Sequence, residues 1–368
     1  MKPNTAMTTI RGSILAGASM VLIAGALSAA QARTVEEIIN YRGADRQQML
    51  IEGAKKEGQV LWYSSVTAKY VLEPMKKAFQ KKYPFIKYRY FRATSRKVNQ
   101  KVFSEMRAGV LAADVISGSG TTTPLIKAGV PIPFYSPAME AFPKEYLHPQ
   151  NLYLPTRFSY FSFTYNTKEI KPADVPKSYD DLLDPKWRGK MGWNVTSNSS
   201  GSAIMIINML TTRGRPATEK YLEALAKQNI QSLSGSGRSV VNKVARGAIQ
   251  IGLGTFAHHG IISASKGAPV KSVPLDPVPG VVATIMVAKS VKNPHAAMLL
   301  IDFYVGKEGQ TLLKQQKYLP ARPDIAPLKV LQKISPKYVG MKENFVSPDK
   351  LYNLAPEMMA LQKKYFRK

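Results

Sequence analysis

The sequence predicts an α/β fold, on three observations. Strand-like and helix-like segments alternate along the chain, which is the pattern of mixed layers rather than of separate all-α or all-β units. The chain has 368 residues, enough for two domains around separate cores. Several of the strands run into short loops of Ser, Thr and Gly, and ligands of open α/β sheets bind outside the carboxyl ends of strands.

The elements follow in order. Gln59 to Tyr63 is a short apolar strand ending at Ser64-Ser65. A helix follows with Val71, Leu72, Met75 and Phe79 on one face, and it stops at Tyr83-Pro84. Ile86 to Phe91 and Ala113 to Ile116 read as the next strands. Leu152 to Tyr165 is aromatic-rich and extended. A strand near Met191 to Val195 leads through Ser197 to Ser202 into a helix whose start, Ala203 to Leu210, is apolar on nearly every side and is expected to be buried. Gly247 to Leu253 and the β-branched Val281 to Val287 complete the strands. A last clear helix opens at Asn293-Pro294, with an N-cap residue and proline at the first helical position, and closes at Gly306.

Before the fold lies a different kind of segment. Lys2 and Arg11, an apolar run from Ile14 to Leu27 and the small-x-small triplet Ala30-Gln31-Ala32 make up the plan of a cleaved secretory signal peptide over residues 1–32. The run is short for a membrane anchor, so export without stable membrane insertion is expected. There is no cysteine, hence no disulfide, no thiolate nucleophile and no thiolate metal site. The chain carries 52 basic and 24 acidic residues, a formal net charge of +28. Such a charge suits nucleic acid, a solvated basic surface, or a field that draws in an anionic ligand. Export argues against nucleic acid, and no zinc-finger spacing or RNA-binding aromatic signature occurs.

Five loops carry the chemistry. They are Ser64 to Thr67, Thr94-Ser95, Ser117 to Gly120, Ser199 to Ser202, and Ser234 to Gly237 followed by Arg238. Hydroxyls and unhindered backbone N–H groups, some at helix starts, favour an anion; ordinary turn and cap chemistry is the competing reading for each loop taken alone. Catalytic constellations are poor. No G-x-S-x-G, H-E-x-x-H or phosphate-binding P-loop occurs. His148 and His295 read as loop and helix-surface residues. His258-His259 would point to opposite faces if they continued a strand. A hydrolase using His258 or His259 therefore lacks a visible nucleophile–base pair.

With these pieces in place, the chain resembles the periplasmic solute-binding proteins of ABC importers, in the branch of the ferric-ion-binding proteins. The likeness runs from about Glu52 to Ile325. It is carried by Lys56 to Ser64, Ala113-Asp114-Val115, Tyr165-Asn166-Thr167, Tyr179 to Lys190, Pro279-Gly280-Val281, Asn293 to Ala297 and Gly306 to Gln310, in that order and spacing. The resemblance implies a type II periplasmic binding protein fold: two lobes joined by two crossover strands, with the ligand cleft between them. Residues 33–158 would form the first part of lobe 1, 159–280 lobe 2, and 281–368 the return to lobe 1 with the C-terminal helices. Leu152 to Tyr165 and Pro279 to Val287 would be the crossovers. The protein would be a periplasmic monomer that traps a solute by lobe closure, delivers it to a permease and transforms nothing.

The iron-binding relatives supply two adjacent tyrosines, a histidine, a glutamate and an accompanying anion. In this chain the tyrosine positions fall on Ala257 and His258, the histidine near Thr67, and the glutamate near Gly118-Ser119. The anion loop matches, with Ser200-Gly201-Ser202 at the helix start. The expected ligand is therefore a small organic carboxylate, phosphonate or phosphate, held without cofactor or metal. Its contacts would come from Ser64, Ser65 and Thr67, from Arg92, Thr94, Ser95 and Ser119, and from Ser200, Gly201, Ser202, Arg238 and His258. The alternative is a ferric ion or ferric chelate, with His258 as a metal ligand.

Overall fold

The computed structural model describes residues 33–195 and 201–366. The signal-peptide reading and Ser200 lie outside the described residues. Twelve strands are present among those described. They are β1 Gln59–Ser64, β2 Lys87–Arg92, β3 Val115–Gly118, β4 Pro131–Ile132, β5 Leu154–Asn166 and β6 Met191–Asn194. β7 Gln231–Leu233, β8 Ile251–Phe256, β9 Val270–Val273, β10 Val278–Ala288, β11 Leu319–Pro320 and β12 Glu343–Val346 follow.

The spatial order is β2-β1-β3-β10-β5-β8-β6-β7. β1 runs parallel to β2 and β3, and β6 runs parallel to β7 and β8. β5 serves both halves. Its first part pairs with β10 up to Tyr160 opposite Gly280, and from Phe161 onward it pairs with β8 and β9. The extended, aromatic-rich reading of this segment is thus explained. Thirteen residues of continuous strand, buried at almost every position, need apolar side chains on both faces.

Each half has its own core. In the first, Trp62 packs edge-on against Tyr304 at 4.9 Å, beside Phe79, Tyr88 and the buried helix Pro294–Val305. In the second, Met191 and Trp193 pack on the helix Gly201–Ala226, which breaks at Gly214 with φ 73. The start of that helix is buried, as its apolar sequence requires.

Several short sequence pieces have structural jobs. The Asp114 carboxylate is fully buried and accepts from Leu61 N at 2.8 Å, from the backbone of Lys292 and Asn293 at 3.0 Å, and from Asn293 Nδ2 at 3.0 Å. It ties the start of the Pro294 helix to β1. Asn293 therefore does not cap that helix with its side chain, contrary to expectation, although Pro294 is its first residue. The cap comes from Glu57, whose carboxylate accepts from His295 N at 3.1 Å and Ala296 N at 2.8 Å and meets His295 Nδ1 at 2.6 Å. His295 is thus a partly buried bracket rather than a free surface residue.

Two expectations need correction. The strand expected at Gly247 to Leu253 lies at Ile251–Phe256, because Gly247 with φ 74 closes the preceding helix. The C-terminal helices do not all return to the first half. Pro348–Asn353 packs on the helix Thr122–Lys127, with Thr123 Oγ1 donating to Asp349 at 3.2 Å. Ala355–Phe366, however, lays Met358 and Leu361 into the second core. No described helix is long and apolar enough to cross a membrane.

Candidate ligand cleft

The carboxyl ends of β1, β2 and β3 face those of β6, β7 and β8 across a cavity of about 1060 Å3. Its wall on the first side includes Ser65, Thr67, Arg92, Thr94, Ser95 and Ser119. Its wall on the second includes Gly201, Arg238 and His258. These nine expected contacts are brought together.

Two others are not. Ser64 is fully buried beneath the cleft; its Oγ pairs with Ser117 Oγ at 2.8 Å and accepts from Val66 N at 3.1 Å. Successive strand residues alternate in direction, so Ser65 takes the cleft side. Ser202 is also fully buried; its Oγ donates to Asn194 O at 2.8 Å and accepts from Gln362 Nε2 at 2.8 Å. Both serines are structural. Thr94 mixes roles, since it faces the cavity while its Oγ1 caps the helix Ser95–Arg107. Arg92 reaches back to donate from Nε to Val66 O at 3.3 Å, bracing the loop after β1.

The Gly201 start is fixed by contact. A Cβ on Gly201 would lie 2.1 Å from Gly254 O, and Gly254 itself has φ +58. Glycine at both positions lets the helix start press against β8. Gly201 N donates to Asn194 Oδ1 at 2.9 Å, so its amide is already used.

His258 and His259 correct the strand reading. β8 ends at Phe256 and the helix Ala257–Ala264 starts at once. Both imidazoles consequently line the cavity, with ring centroids 4.6 Å apart. Both are buried, and each Nδ1 lacks a hydrogen-bond partner. Burial first, and for His258 then the Arg157 and Arg238 guanidiniums, hold it well below the ordinary imidazole value. His259 is held down by burial, then by His258 and the same two arginines. Both are neutral at pH 7.

Arg157 was not foreseen. It sits on β5 at the cavity floor, only 8% exposed, with its Nε unpartnered. Among the described residues it forms no ion pair. Its place inside an apolar strand was the available signal, because a charge there is expensive unless something pairs with it. Arg238 donates from Nη1 to His259 O at 3.0 Å and Ser263 Oγ at 3.2 Å, leaving Nη2 buried and unpartnered. Lys69, Tyr70, Arg96, Lys97, Lys266 and Tyr318 also line the cavity unforeseen, and His259 joins His258 there. Lys266 donates to Tyr70 Oη at 2.6 Å from across the cleft and thereby lowers the phenol's pKa. The described wall thus presents Lys69, Arg92, Arg96, Lys97, Arg157, Arg238 and Lys266 and no carboxylate.

Two α/β halves sharing a long strand, with a cation-lined cleft at the strand ends between them, define a solute-binding protein of the type II periplasmic fold. The chain belongs to the family of bacterial extracellular solute-binding proteins, whose model matches residues 111–341. Among curated relatives it is 29% identical over 186 residues to a putative 2-aminoethylphosphonate-binding periplasmic protein of Salmonella typhi, covering 48% of this chain and 54% of that one. It is 26% identical over 184 residues to an Fe(3+)-binding periplasmic protein of Serratia marcescens, covering 46% and 53%. The chain thus spans about half the length of these relatives. Two solved structures share the fold. Iron-bound HitA from Pseudomonas aeruginosa matches at TM-score 0.70 and 21% identity, over 84% of this chain and 99% of that one. AfuA from Actinobacillus pleuropneumoniae with fructose-6-phosphate matches at TM-score 0.68 and 22% identity, over 84% and 99%.

Proposed function

We propose that this chain is the periplasmic substrate-binding component of an ABC importer, and that it captures a small anionic solute of carboxylate, phosphonate or phosphate type. The observation that carries this reading is the pair Arg157 and Arg238. Arg157 is buried and Arg238 half-buried; each has a buried, unpartnered guanidinium nitrogen and forms no ion pair among the described residues. A buried cation is costly until an anion pairs with it, and an oxyanion of the solute supplies that partner through charge-assisted hydrogen bonds. Ser65, Thr67, Ser95, Ser119 and the neutral His258 and His259 complete a donor set around it.

In this reading residues 33–158 with the return from 281 form one lobe and 159–280 the other, with Ala355–Phe366 attached to the second. Residues 1–32 direct export and are removed. The monomer closes on its solute, hands it to the permease and transforms nothing. The S. typhi relative's name supports a phosphonate-type ligand. A bare ferric ion suits this cleft poorly, since it is a hard trication that prefers anionic oxygen donors and the described wall offers seven cations and no carboxylate.

Calorimetric titration with methylphosphonate, inorganic phosphate, citrate and ferric chloride tests the proposal. At least one anion is expected to bind with micromolar or tighter Kd. Micromolar iron binding with no response to any anion would overturn it.

A further inference from the structure

The cationic cavity holds uncharged polar atoms beside its two arginines. Tyr318, just before β11, is 2% exposed, lines the cavity and leaves its Oη without a hydrogen-bond partner. Its ring lies 4.7 Å from that of His258. His258 Nδ1 and His259 Nδ1 are likewise buried and unpartnered in the same wall. A phenol hydroxyl donates and accepts, and an imidazole nitrogen does one or the other according to its tautomer. Buried polar atoms of this kind cost free energy until something pairs with them.

The sign of the surrounding charge is the second observation. None of the seven lining cations forms an ion pair among the described residues. The charges that reach His258 and His259 are those of Arg157 and Arg238, and those that reach Tyr70 are Lys266, Arg238 and Lys69. No carboxylate is among the described lining residues. Residues 196–200, between β6 and the helix that starts at Gly201, are Thr196, Ser197, Asn198, Ser199 and Ser200, which carry no charge.

We propose that the captured acid carries a neutral hydroxyl close to its acidic group and no ammonium group. The proposal rests on the anion reading above and adds what the rest of the molecule carries. The acidic group takes Arg157 and Arg238. The hydroxyl, donor and acceptor in one, pairs with Tyr318 Oη and the histidine Nδ1 beside it. An ammonium group would find acceptors there but no countercharge, and two guanidiniums next to it. Like charges brought together in a binding site are strongly disfavoured.

The test is calorimetric titration of the full chain at neutral pH with ethyl-, 2-hydroxyethyl- and 2-aminoethylphosphonate, and with propionate, 3-hydroxypropionate and β-alanine. In whichever series binds, the hydroxy acid is expected to bind tighter than the plain acid and at least about tenfold tighter than the amino analogue. Tyr318→Phe is expected to weaken the hydroxy acid about three- to tenfold and to leave the plain acid unchanged. Thermal unfolding checks that the variant folds. An amino analogue that binds as tightly as the hydroxy acid would overturn the hydroxylated solute. So would a Tyr318→Phe that weakens plain and hydroxy acids alike or leaves both unchanged. Failure of every acid in both series would instead overturn the anion reading, and the hydroxylated solute with it.

Discussion

Arg157→Met is expected to weaken anion binding about thirtyfold or more while leaving the protein as stable as before, or more so. Arg157 is 8% exposed, has an unpartnered Nε and forms no ion pair among the described residues. In the ligand-free protein its charge carries a desolvation cost that no ion pair offsets among the described residues, and methionine of similar length fills the same space without it. In the proposed complex the same charge faces the solute's oxyanion. Truncating one partner of such a pair costs about 2–5 kcal/mol, and 2 kcal/mol is about thirtyfold in Kd. Arg157→Lys should lie between, since it keeps the charge and loses the planar fork. Arg238→Met should also weaken binding, at a small cost in stability, because it gives up bonds to His259 O and Ser263 Oγ. Calorimetry gives the affinities and urea denaturation the stabilities. A destabilised Arg157→Met that still binds the anion normally would make Arg157 a structural strut and remove the main support for the proposed function.

The second large effect is on pH. His258 and His259 are neutral in the folded protein because burial, the two arginines and their own mutual repulsion oppose protonation. Their folded values lie below the unfolded one of about 6.5, so the unfolded chain binds more protons as the pH falls through that value. Folding stability from this source is therefore present above pH 6.5 and lost below it. Each histidine contributes a slope of up to about 1.4 kcal/mol per pH unit there. At pH 5.5 the ligand-free protein should be about 2–3 kcal/mol less stable on their account than at pH 7.5. A saturating anion should reduce the loss, because it adds negative charge beside both rings. Urea denaturation from pH 5 to 8 of the wild type and of the His258→Gln/His259→Gln variant measures this. An unchanged slope in the variant would show that the histidines titrate alike in both states.

The sequence displayed the frame more fully than the site. Periodicity placed most strands and the buried helices, because burial on one or both faces dictates where apolar residues fall. Strand ends rich in Ser, Thr and Gly pointed to the cleft, since such loops approach a ligand without bulk. Which serine faces the cavity was not legible. Ser64 and Ser65 differ only by the alternation of the strand, and Ser202 is turned inward by Asn194 and Gln362, the latter from a helix 160 residues later. The histidine pair was misjudged because one bend after Phe256 replaces a two-residue period by a helical one. Arg157 stayed hidden inside a strand otherwise read for its aromatic residues. The last helix contacts the second core through tertiary packing that no local pattern announces.

Native mass spectrometry of the protein isolated from its source cells, under conditions that preserve bound solutes, tests the central claim most directly. The cleft's seven lining cations and carboxylate-free described wall predict an organic or phosphorus-containing anion as the bound species, lost from Arg157→Met. Iron bound to the wild type and equally to Arg157→Met would contradict it.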